Sequence, residues 1–222
     1  MSTKTVGIVG GGLMGAGIAT KFALAGHEPL VLETSPQRRA TIPAVIEGIL
    51  QELQAAGAVG TAESAAALAR ISLIDGLPAL ASAPLVIEVI PEVLAAKQEL
   101  YRQLEAVLAP DALLASNTSG FLPDALSAGL ARPERFLITH FWNPPHAIPL
   151  VEIVPGARTA PAAVEQTVAL LRAIGAEPVV LRKAVPGFIG NRLQFAVLRE
   201  ALHLVQTGVA DPETIDTVMK AS

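Results

Sequence analysis

The sequence TVGIVGGGLMG at residues 5–15 decides the fold. A short apolar run, Thr5–Val9, is followed at once by Gly10, Gly12 and Gly15 in the spacing G-x-G-x-x-G. The run is typical of a buried parallel strand. The glycines allow a tight turn, a close backbone approach to a pyrophosphate, and close packing of the next helix on the strand. Because the free N–H groups of that helix would meet the phosphate charge, the stretch predicts a dinucleotide site.

A glycine pattern alone is weak evidence, because glycines also serve ordinary turns. Here it opens a helix predicted over Leu13–Ala25, and the second strand, predicted over Pro29–Glu33, ends in an acid. Glu33 lies near the spacing of about 20 residues expected for a carboxylate that binds ribose. A carboxylate accepts hydrogen bonds from a 2′-hydroxyl and repels a 2′-phosphate, so we expect NAD rather than NADP. We interpret Arg38 and Arg39, which follow, as solvated residues of the next helix.

Strands alternate with helices along most of the chain, which is typical of a doubly wound α/β sheet. After Pro186 the pattern changes to a long amphipathic helix. We therefore expect residues 1–185 to form a Rossmann-type domain with a mostly parallel sheet, and residues 186–222 to begin an all-α domain. The further predicted strands are Ile71–Ile74, Leu85–Val89, Ala112–Ser116, Arg135–Thr139, Leu150–Val154 and Glu177–Leu181. The further predicted helices are Gln37–Ala56 with an interruption near Pro43, Glu92–Leu108, Phe188–Gln206 and Pro212–Lys220.

Composition limits the class of protein. The 222 residues are 51% hydrophobic, carry a net charge of −4 and include no cysteine. The apolar share suits a buried core, and the lack of a basic cluster argues against nucleic acid as a partner. The lack of cysteine excludes disulfides, thiolate metal sites and a cysteine nucleophile, and it suits a cytoplasmic protein. Mean hydropathy is +0.50, but every apolar run is interrupted before the roughly 18 residues that a membrane span requires. The N-terminus lacks the pattern of a signal peptide, and we expect neither a membrane partner nor a metal.

Four later segments carry polar side chains that a core would not need. They are Ser116-Asn117-Thr118-Ser119, His140-Phe141-Trp142-Asn143-Pro144, Leu150–Val154 with its Glu152, and Pro186–Arg192. Two follow sheet strands, where open α/β sheets bind ligands. Together with Val86-Ile87-Glu88 and Pro91-Glu92, they make the chain resemble the 3-hydroxyacyl-CoA dehydrogenase family from Lys4 to its last residue. The resemblance implies an NAD-dependent oxidoreductase that interconverts a 3-hydroxyacyl-CoA, of the L-3-hydroxybutyryl-CoA type, and the 3-oxoacyl-CoA by hydride transfer.

The resemblance also assigns roles to residues. His140 would be the general base for the substrate hydroxyl, a task that suits an imidazole, and Glu152 would orient it. Ser119 and Asn191 would hydrogen-bond the reacting oxygen or the thioester carbonyl. The competing interpretations are a satisfied core histidine at 140, a helix cap at Ser119 and a helix-start residue at Asn191. The expected cofactor-binding residues are Gly10, Gly12, Leu13, Met14, Gly15, Glu33, Glu92, Lys97, Asn117 and Asn143, with a solvated helix lysine as the alternative at Lys97.

Two departures from the family pattern bear on the substrate. In the acyl-CoA enzymes, the helix after the second strand usually carries lysines that meet the CoA phosphates, whereas the matching stretch here is Ala55-Ala56-Gly57-Ala58. The loop Trp142–Pro149 resembles that of lambda-crystallin-like gulonate dehydrogenases and carnitine dehydrogenases, which oxidise free 3-hydroxy acids. On the weight of the family we place 3-hydroxyacyl-CoA first, and a free 3-hydroxy acid is the alternative.

The helices after Pro186 are amphipathic, and in the family the domain that they begin extends well past the equivalent of Ser222. We therefore interpret the chain as truncated within that domain. An apolar stripe without a covering element favours self-association, so the sequence predicts a homodimer built through residues after Pro186. The competing hypothesis is a truncated NAD-binding module without turnover.

Overall fold

Eight strands form one sheet in the computed structural model of the chain, which describes residues 5–221. They are β1 (Thr5–Val9), β2 (Glu28–Leu32), β3 (Ser72–Ile74), β4 (Leu85–Glu88), β5 (Leu113–Ser116), β6 (Phe136–Phe141), β7 (Leu150–Pro155) and β8 (Glu177–Val180). Their spatial order is β3-β2-β1-β4-β5-β6-β7-β8. All neighbouring strands are parallel except β6 and β7, which are antiparallel. The predicted doubly wound, mostly parallel sheet is confirmed.

Helices connect these strands and cover the sheet. They are α1 (Leu13–Leu24), α2 (Pro36–Ala55), α3 (Thr61–Arg70), α4 (Leu94–Val107), α5 (Pro123–Leu126), α6 (Pro161–Ala173), α7 (Gly190–Gln206) and α8 (Pro212–Ala221). The sequence did not predict α3, α5 or α6. The Ser35 hydroxyl caps α2 by accepting a hydrogen bond from the Arg38 N–H, a contact that satisfies one of the N–H groups left over at a helix start. Gly26, at φ +87°, ends α1.

The helix α2 runs through Pro43 without a break, so the predicted interruption is wrong. Proline in a helix interior removes one hydrogen bond and costs about 3 kcal/mol. The same helix buries Ile42, Ile46, Ile49 and Leu50, and each such side chain contributes about 1.5–3 kcal/mol. The stabilisation from these buried side chains therefore outweighs the local cost of Pro43, which faces solvent on the other side of the helix.

The central strands are covered on both faces. Every residue of β4, β5 and β6 is buried, as expected for parallel strands between two helical layers. Such strands have no solvent-facing side for polar groups. The carboxyl ends of β1, β2, β4, β5 and β6 share one edge of the sheet, and this edge is where ligands bind in open α/β sheets.

Contacts divide the chain into two compact units, one up to Ala184 and one from Val185. The second unit contains α7 and α8, and no described residue of either helix is buried. The prediction that the long helix begins at Phe188 is wrong, because the φ of +50° of Phe188 places it in the turn before Gly190. Within residues 5–221, no helix combines the length and the apolar character that crossing a membrane requires.

Candidate active site

Gly10 and Gly15 close the turn between β1 and α1. Gly10 has a φ of +116°, a conformation that glycine adopts at little cost, and a Cβ there would lie 2.8 Å from the Val89 carbonyl oxygen. A Cβ on Gly15 would lie 1.9 Å from the carbonyl oxygen of Gly10. A side chain at Gly15 would therefore push the helix away from the turn, and one at Gly10 would collide with the backbone that follows β4.

Gly12 leaves the mouth of the turn open. It is the N-cap residue of α1 and makes no side-chain cap, and no described atom lies within 4 Å of a Cβ built on it. The first N–H groups of α1 can therefore meet a phosphate that approaches from this side. Leu13, 57% exposed, and the half-buried Met14 flank the opening. This cradle fits the pyrophosphate of a dinucleotide.

Glu33 directly follows β2 at the same edge and is buried. Its Oε1 accepts a hydrogen bond from the Ser35 N–H at 2.9 Å and lies 3.4 Å from the Arg38 guanidinium. Arg39 donates to the Glu33 carbonyl oxygen and lies within ion-pair distance of Asp75. The predicted solvated state therefore applies to Arg38, which is 70% exposed, and is wrong for Arg39, which is 25% exposed.

A buried polar cluster lies behind this edge, centred on the Glu88 carboxylate. Oε1 accepts hydrogen bonds from the Lys97 ammonium and from the Ile90 N–H, each at 2.6 Å. Oε2 accepts from the Tyr101 phenol and from the Ser116 hydroxyl, the latter at 2.7 Å. Burial raises the pKa of Tyr101, and the charge of Glu88 raises it further. The phenol therefore stays a protonated donor, and the carboxylate is fully satisfied.

Lys97 is buried within this cluster and is not a surface residue. It is 1% exposed, and its ammonium also donates to the Ile90 carbonyl oxygen at 3.0 Å. The alternative of a solvated helix lysine is therefore wrong. A direct contact with the cofactor stays a prediction, and the observed bonds show that Lys97 fixes the segment between β4 and α4. No sequence pattern indicated Tyr101, because its partner is 13 residues away on another element.

Glu92 joins that segment to the one after β5. Its Oε1 accepts hydrogen bonds from the Thr118 hydroxyl at 2.7 Å and from the Ser119 N–H at 2.9 Å, and Oε2 lies 3.4 Å from the Lys97 ammonium. Burial acts to raise the pKa of Glu92, but these hydrogen bonds and the charge of Lys97 prevail and hold it below its ordinary value. The ionised carboxylate thereby positions Ser119, which is exposed at the edge.

His140 and Glu152 face each other across the antiparallel strands. They are register partners in β6 and β7, and Nδ1 of His140 lies 2.8 Å from Oε2 of Glu152. The side chains are 9% and 1% exposed. The predicted end of the strand at Thr139 is wrong, since β6 continues through Phe141 and His140 lies within it. With the carboxylate at Nδ1, that nitrogen carries the proton and Nε2 is the one suited to accept another.

Hydrogen bonds link the ends of the strands into one surface. Gly10 N–H donates to Leu32, Val89 N–H to Val9, and Asn117 N–H to Glu88. The Asn117 side-chain oxygen accepts from the Phe141 N–H at 2.8 Å, which connects it to the strand of His140. The residues that this edge collects are Gly10, Gly12, Leu13, Met14, Gly15, Glu33, Glu92, Asn117, Ser119 and His140.

Two predicted residues lie elsewhere. Asn143 is exposed in the loop after β6, where its peptide bond to Pro144 is cis. Asn191 lies in the first turn of α7, in the second unit. Its contribution to the site therefore stays a prediction.

Family profiles match nearly the whole chain. The profile for the 3-hydroxyacyl-CoA dehydrogenase NAD binding domain covers residues 5–185, and that for the 3-hydroxyacyl-CoA dehydrogenase C-terminal domain covers residues 187–222. Among solved structures, (S)-3-hydroxybutyryl-CoA dehydrogenase PaaH1 from Ralstonia eutropha superposes with a TM-score of 0.91 at 33% identity, over 99% of this chain and 77% of that one.

Curated relatives are similar over about two thirds of their own length. The chain is 38% identical over 218 residues to 5-formyl-3-hydroxy-2-methylpyridine 4-carboxylate 5-dehydrogenase of Mesorhizobium japonicum, covering 96% of this chain and 69% of the relative. It is 37% identical to lambda-crystallin of Oryctolagus cuniculus (96% and 67% covered). It is also 37% identical to L-carnitine dehydrogenase of Burkholderia mallei (97% and 66% covered).

Proposed function

The chain belongs to the 3-hydroxyacyl-CoA dehydrogenase family, and on that premise we propose that it oxidises a 3-hydroxy substrate with His140 as general base. The resemblance stated from the sequence is thereby confirmed, as are NAD as cofactor and the class of NAD-dependent enzymes acting on CH–OH. The observation that carries the proposal is the buried pair of His140 and Glu152, 2.8 Å apart at the carboxyl edge of the sheet.

The proposed chemistry needs one proton acceptor and one carboxylate. When bound, NAD accepts a hydride from the carbinol carbon of the substrate. His140 takes the hydroxyl proton at Nε2, and Glu152 stabilises the resulting imidazolium through Nδ1. The C–H and O–H bonds break and a C=O bond forms; in the reverse direction His140 returns the proton. Ser119, and Asn191 from the second unit, would hydrogen-bond the reacting oxygen.

The cofactor would lie along the carboxyl edge. Its pyrophosphate would meet the start of α1 at Gly12, Leu13 and Met14, and Glu33 would accept hydrogen bonds from the adenosine ribose. Glu92, Lys97, Asn117 and Asn143 are the proposed contacts or supports at the nicotinamide end. These residues belong to a proposed NAD-binding domain of residues 1–185, with residues 186–222 beginning a helical domain.

We expect NAD to bind at least tenfold more tightly than NADP, a difference of about 1.4 kcal/mol. The physical reason is that Glu33 repels a 2′-phosphate. Calorimetry on Glu33→Ala should show a smaller difference between the two dissociation constants. Glu28→Gln, which removes an exposed charge at the opposite end of β2, should leave that difference unchanged. Equal dissociation constants for the two cofactors in the unmodified chain would contradict the role of Glu33.

Within this function we favour a free 3-hydroxy acid over the 3-hydroxyacyl-CoA that the family pattern places first. From Ala40 to Ala69 the chain has no lysine or arginine, and the three charged residues there, Glu47, Glu52 and Glu63, are exposed. This range spans most of α2 and α3, where the family's acyl-CoA enzymes usually present lysines. A polyphosphorylated ligand needs cations, and an anionic surface disfavours it. Two relatives support the choice, since their names specify a pyridine carboxylate and L-carnitine.

The test is NADH oxidation with acetoacetyl-CoA beside a panel of free 3-oxo acids. We expect the best free acid to have a kcat/KM at least about tenfold above that of acetoacetyl-CoA, a difference of about 1.4 kcal/mol. Adding lysines, as Ala55→Lys with Ala58→Lys, should lower the KM for acetoacetyl-CoA, while Gln166→Lys on α6 should not. If acetoacetyl-CoA exceeds every free acid in the unmodified chain, the acyl-CoA assignment is the correct one.

We also propose that the chain forms a homodimer through the second unit. Leu193, Phe195, Leu198 and Leu202 of α7 are 49–63% exposed, and apolar surface costs about 25 cal/mol per Å² in water. Light scattering at micromolar concentration should give a dimer, with two-fold symmetry as the default. Deletion of residues 186–222 should give a monomer that binds NAD without turnover. A monomeric full chain, or a dimer that survives the deletion, would contradict the assignment.

A further inference from the structure

The loop between β6 and β7, residues 142–149, is seated on the helix that begins at the phosphate site. Gly17, one turn into α1, is buried beneath it. A Cβ built on Gly17 would lie 2.6 Å from Cγ of Pro145, 3.1 Å from its Cδ and 3.3 Å from Nδ1 of His146. A proline ring held by its backbone cannot swing aside as a long flexible side chain does. A methyl group at residue 17 would therefore displace the loop.

His146 adds a second attachment. Its side chain is only 6% exposed, and Nε2 lies 3.6 Å from a carboxylate oxygen of Glu52 on α2. Glu52 is 76% exposed, so the ion pair contributes little by itself. The burial of the imidazole beside Gly17 is the larger effect. His146 therefore helps to attach the loop to α1 and α2.

The same loop carries an aromatic ring that lies beside the base. The Trp142 ring lies 5.7 Å from the His140 ring, centroid to centroid, at an interplanar angle of 55°. Asn143 is exposed next to it. The loop is also braced internally, because the N–H groups of Ala147 and Ile148 both donate to the Pro144 carbonyl oxygen, at 3.2 and 3.0 Å. Residues 144–148 are therefore expected to move together, and Asn143 and Trp142 directly precede them in the chain.

We propose that Gly17 is a positioning residue for the substrate side of the site. Its missing side chain lets the helix proposed to receive the cofactor phosphates also hold the loop that places Trp142 beside His140. Errors of about 1 Å in such placement cost up to about a hundredfold in rate. The kinetic part of this inference rests on the proposed function, while the contact between Gly17 and the loop does not.

The chain contains a single tryptophan, so intrinsic fluorescence reports on the loop directly. We expect Gly17→Ala to shift the emission of Trp142 and to lower kcat/KM for the preferred 3-oxo substrate about ten- to a hundredfold. The dissociation constant of NAD should rise much less than kcat/KM falls, since the phosphate cradle lies a turn earlier and only the proposed contact of Asn143 belongs to the displaced loop. The matched control is Gly48→Ala in α2, where no described atom lies within 4 Å of the added methyl group. It should alter neither emission nor turnover.

A double variant tests directly whether the contact between residue 17 and Pro145 causes these effects. Pro145→Ala removes Cγ and Cδ, the two atoms nearest to the added methyl group, so the double variant Gly17→Ala with Pro145→Ala should regain most of the emission and turnover of Pro145→Ala alone. Unchanged emission in Gly17→Ala, or a double variant no better than Gly17→Ala, would overturn the proposal. So would a loss of NAD affinity parallel to the loss of turnover, because it would locate the effect in the cofactor site. If the unmodified chain turns over no 3-oxo compound, the proposed function fails, and the emission data still decide whether Gly17 positions the loop.

Discussion

Replacing His140 with glutamine is expected to lower kcat by about 10²–10⁴, the usual contribution of a general base. Glutamine is polar and fills most of the space of the imidazole, but it cannot take a proton from the substrate hydroxyl. NADH affinity and thermal stability should stay close to those of the unmodified chain. Steady-state kinetics with the preferred substrate, together with calorimetric titration of NADH, would measure both quantities.

Two variants next to the base sharpen this test. Glu152→Gln should also lower kcat, because the amide stabilises an imidazolium less well than a carboxylate does. Thr139→Val is the matched control, since Thr139 is buried in the same strand and its hydroxyl has no hydrogen-bond partner among the described residues. It should leave turnover unchanged. A His140→Gln enzyme that retains most of its turnover would remove His140 from the mechanism.

Replacing Glu88 with leucine is expected to lower the free energy of unfolding by about 3–5 kcal/mol. The substitution leaves the Lys97 ammonium buried without its 2.6 Å partner and removes the acceptor of Tyr101 and Ser116. The loss is costly because Glu92, at 3.4 Å and partly exposed, is a weaker counterion for a buried charge than the fully buried Glu88. Urea unfolding followed by circular dichroism would give the difference.

Further variants separate the effect of the Glu88 charge on the free energy of unfolding from the effect of its side-chain shape. Glu88→Leu combined with Lys97→Met should recover most of the lost stability, because well-packed apolar residues often replace a buried ion pair at little cost. Tyr101→Phe, which removes one hydrogen bond to the carboxylate, should cost about 1.5–3 kcal/mol. A Glu88→Leu chain within about 1 kcal/mol of the unmodified one would show that the cluster does not stabilise the fold.

Local patterns were sufficient to predict most of the sheet and the phosphate cradle. The G-x-G-x-x-G run has a direct steric meaning, since a side chain at Gly10 or Gly15 would collide with backbone. In that run, a residue's neighbours in sequence determine its environment. The roles of His140 and Glu152 were implied by the family resemblance, with the carboxylate of Glu152 in an otherwise apolar strand as support.

The failures share a different cause. Pro43 disfavours a helix locally, yet distant core contacts of α2 decide the outcome. The Ala-rich helices α3 and α6 were not predicted, because their N-cap residues, Gly60 and Ala160, give no strong signal of a helix start. Lys97 resembles any exposed helix lysine in the sequence, and only the fold brings Glu88, Tyr101 and Ser116 around it. Long-range side-chain contacts of this kind leave no local pattern.

The antiparallel pairing of β6 with β7 separates the chemistry of the site from its selectivity. Side chains alternate along a strand, so inserting one residue inside either strand would turn the base and its carboxylate to opposite faces. The intervening loop is free of that constraint, because the ladder from Leu137–Pro155 to Phe141–Val151 sets the register on its own. Residues 142–149 can therefore be replaced by the equivalent loop of a related enzyme, provided that the new loop has a residue that can pack against Gly17. Protein engineers can vary what the enzyme accepts here while its proton-transfer machinery stays in place.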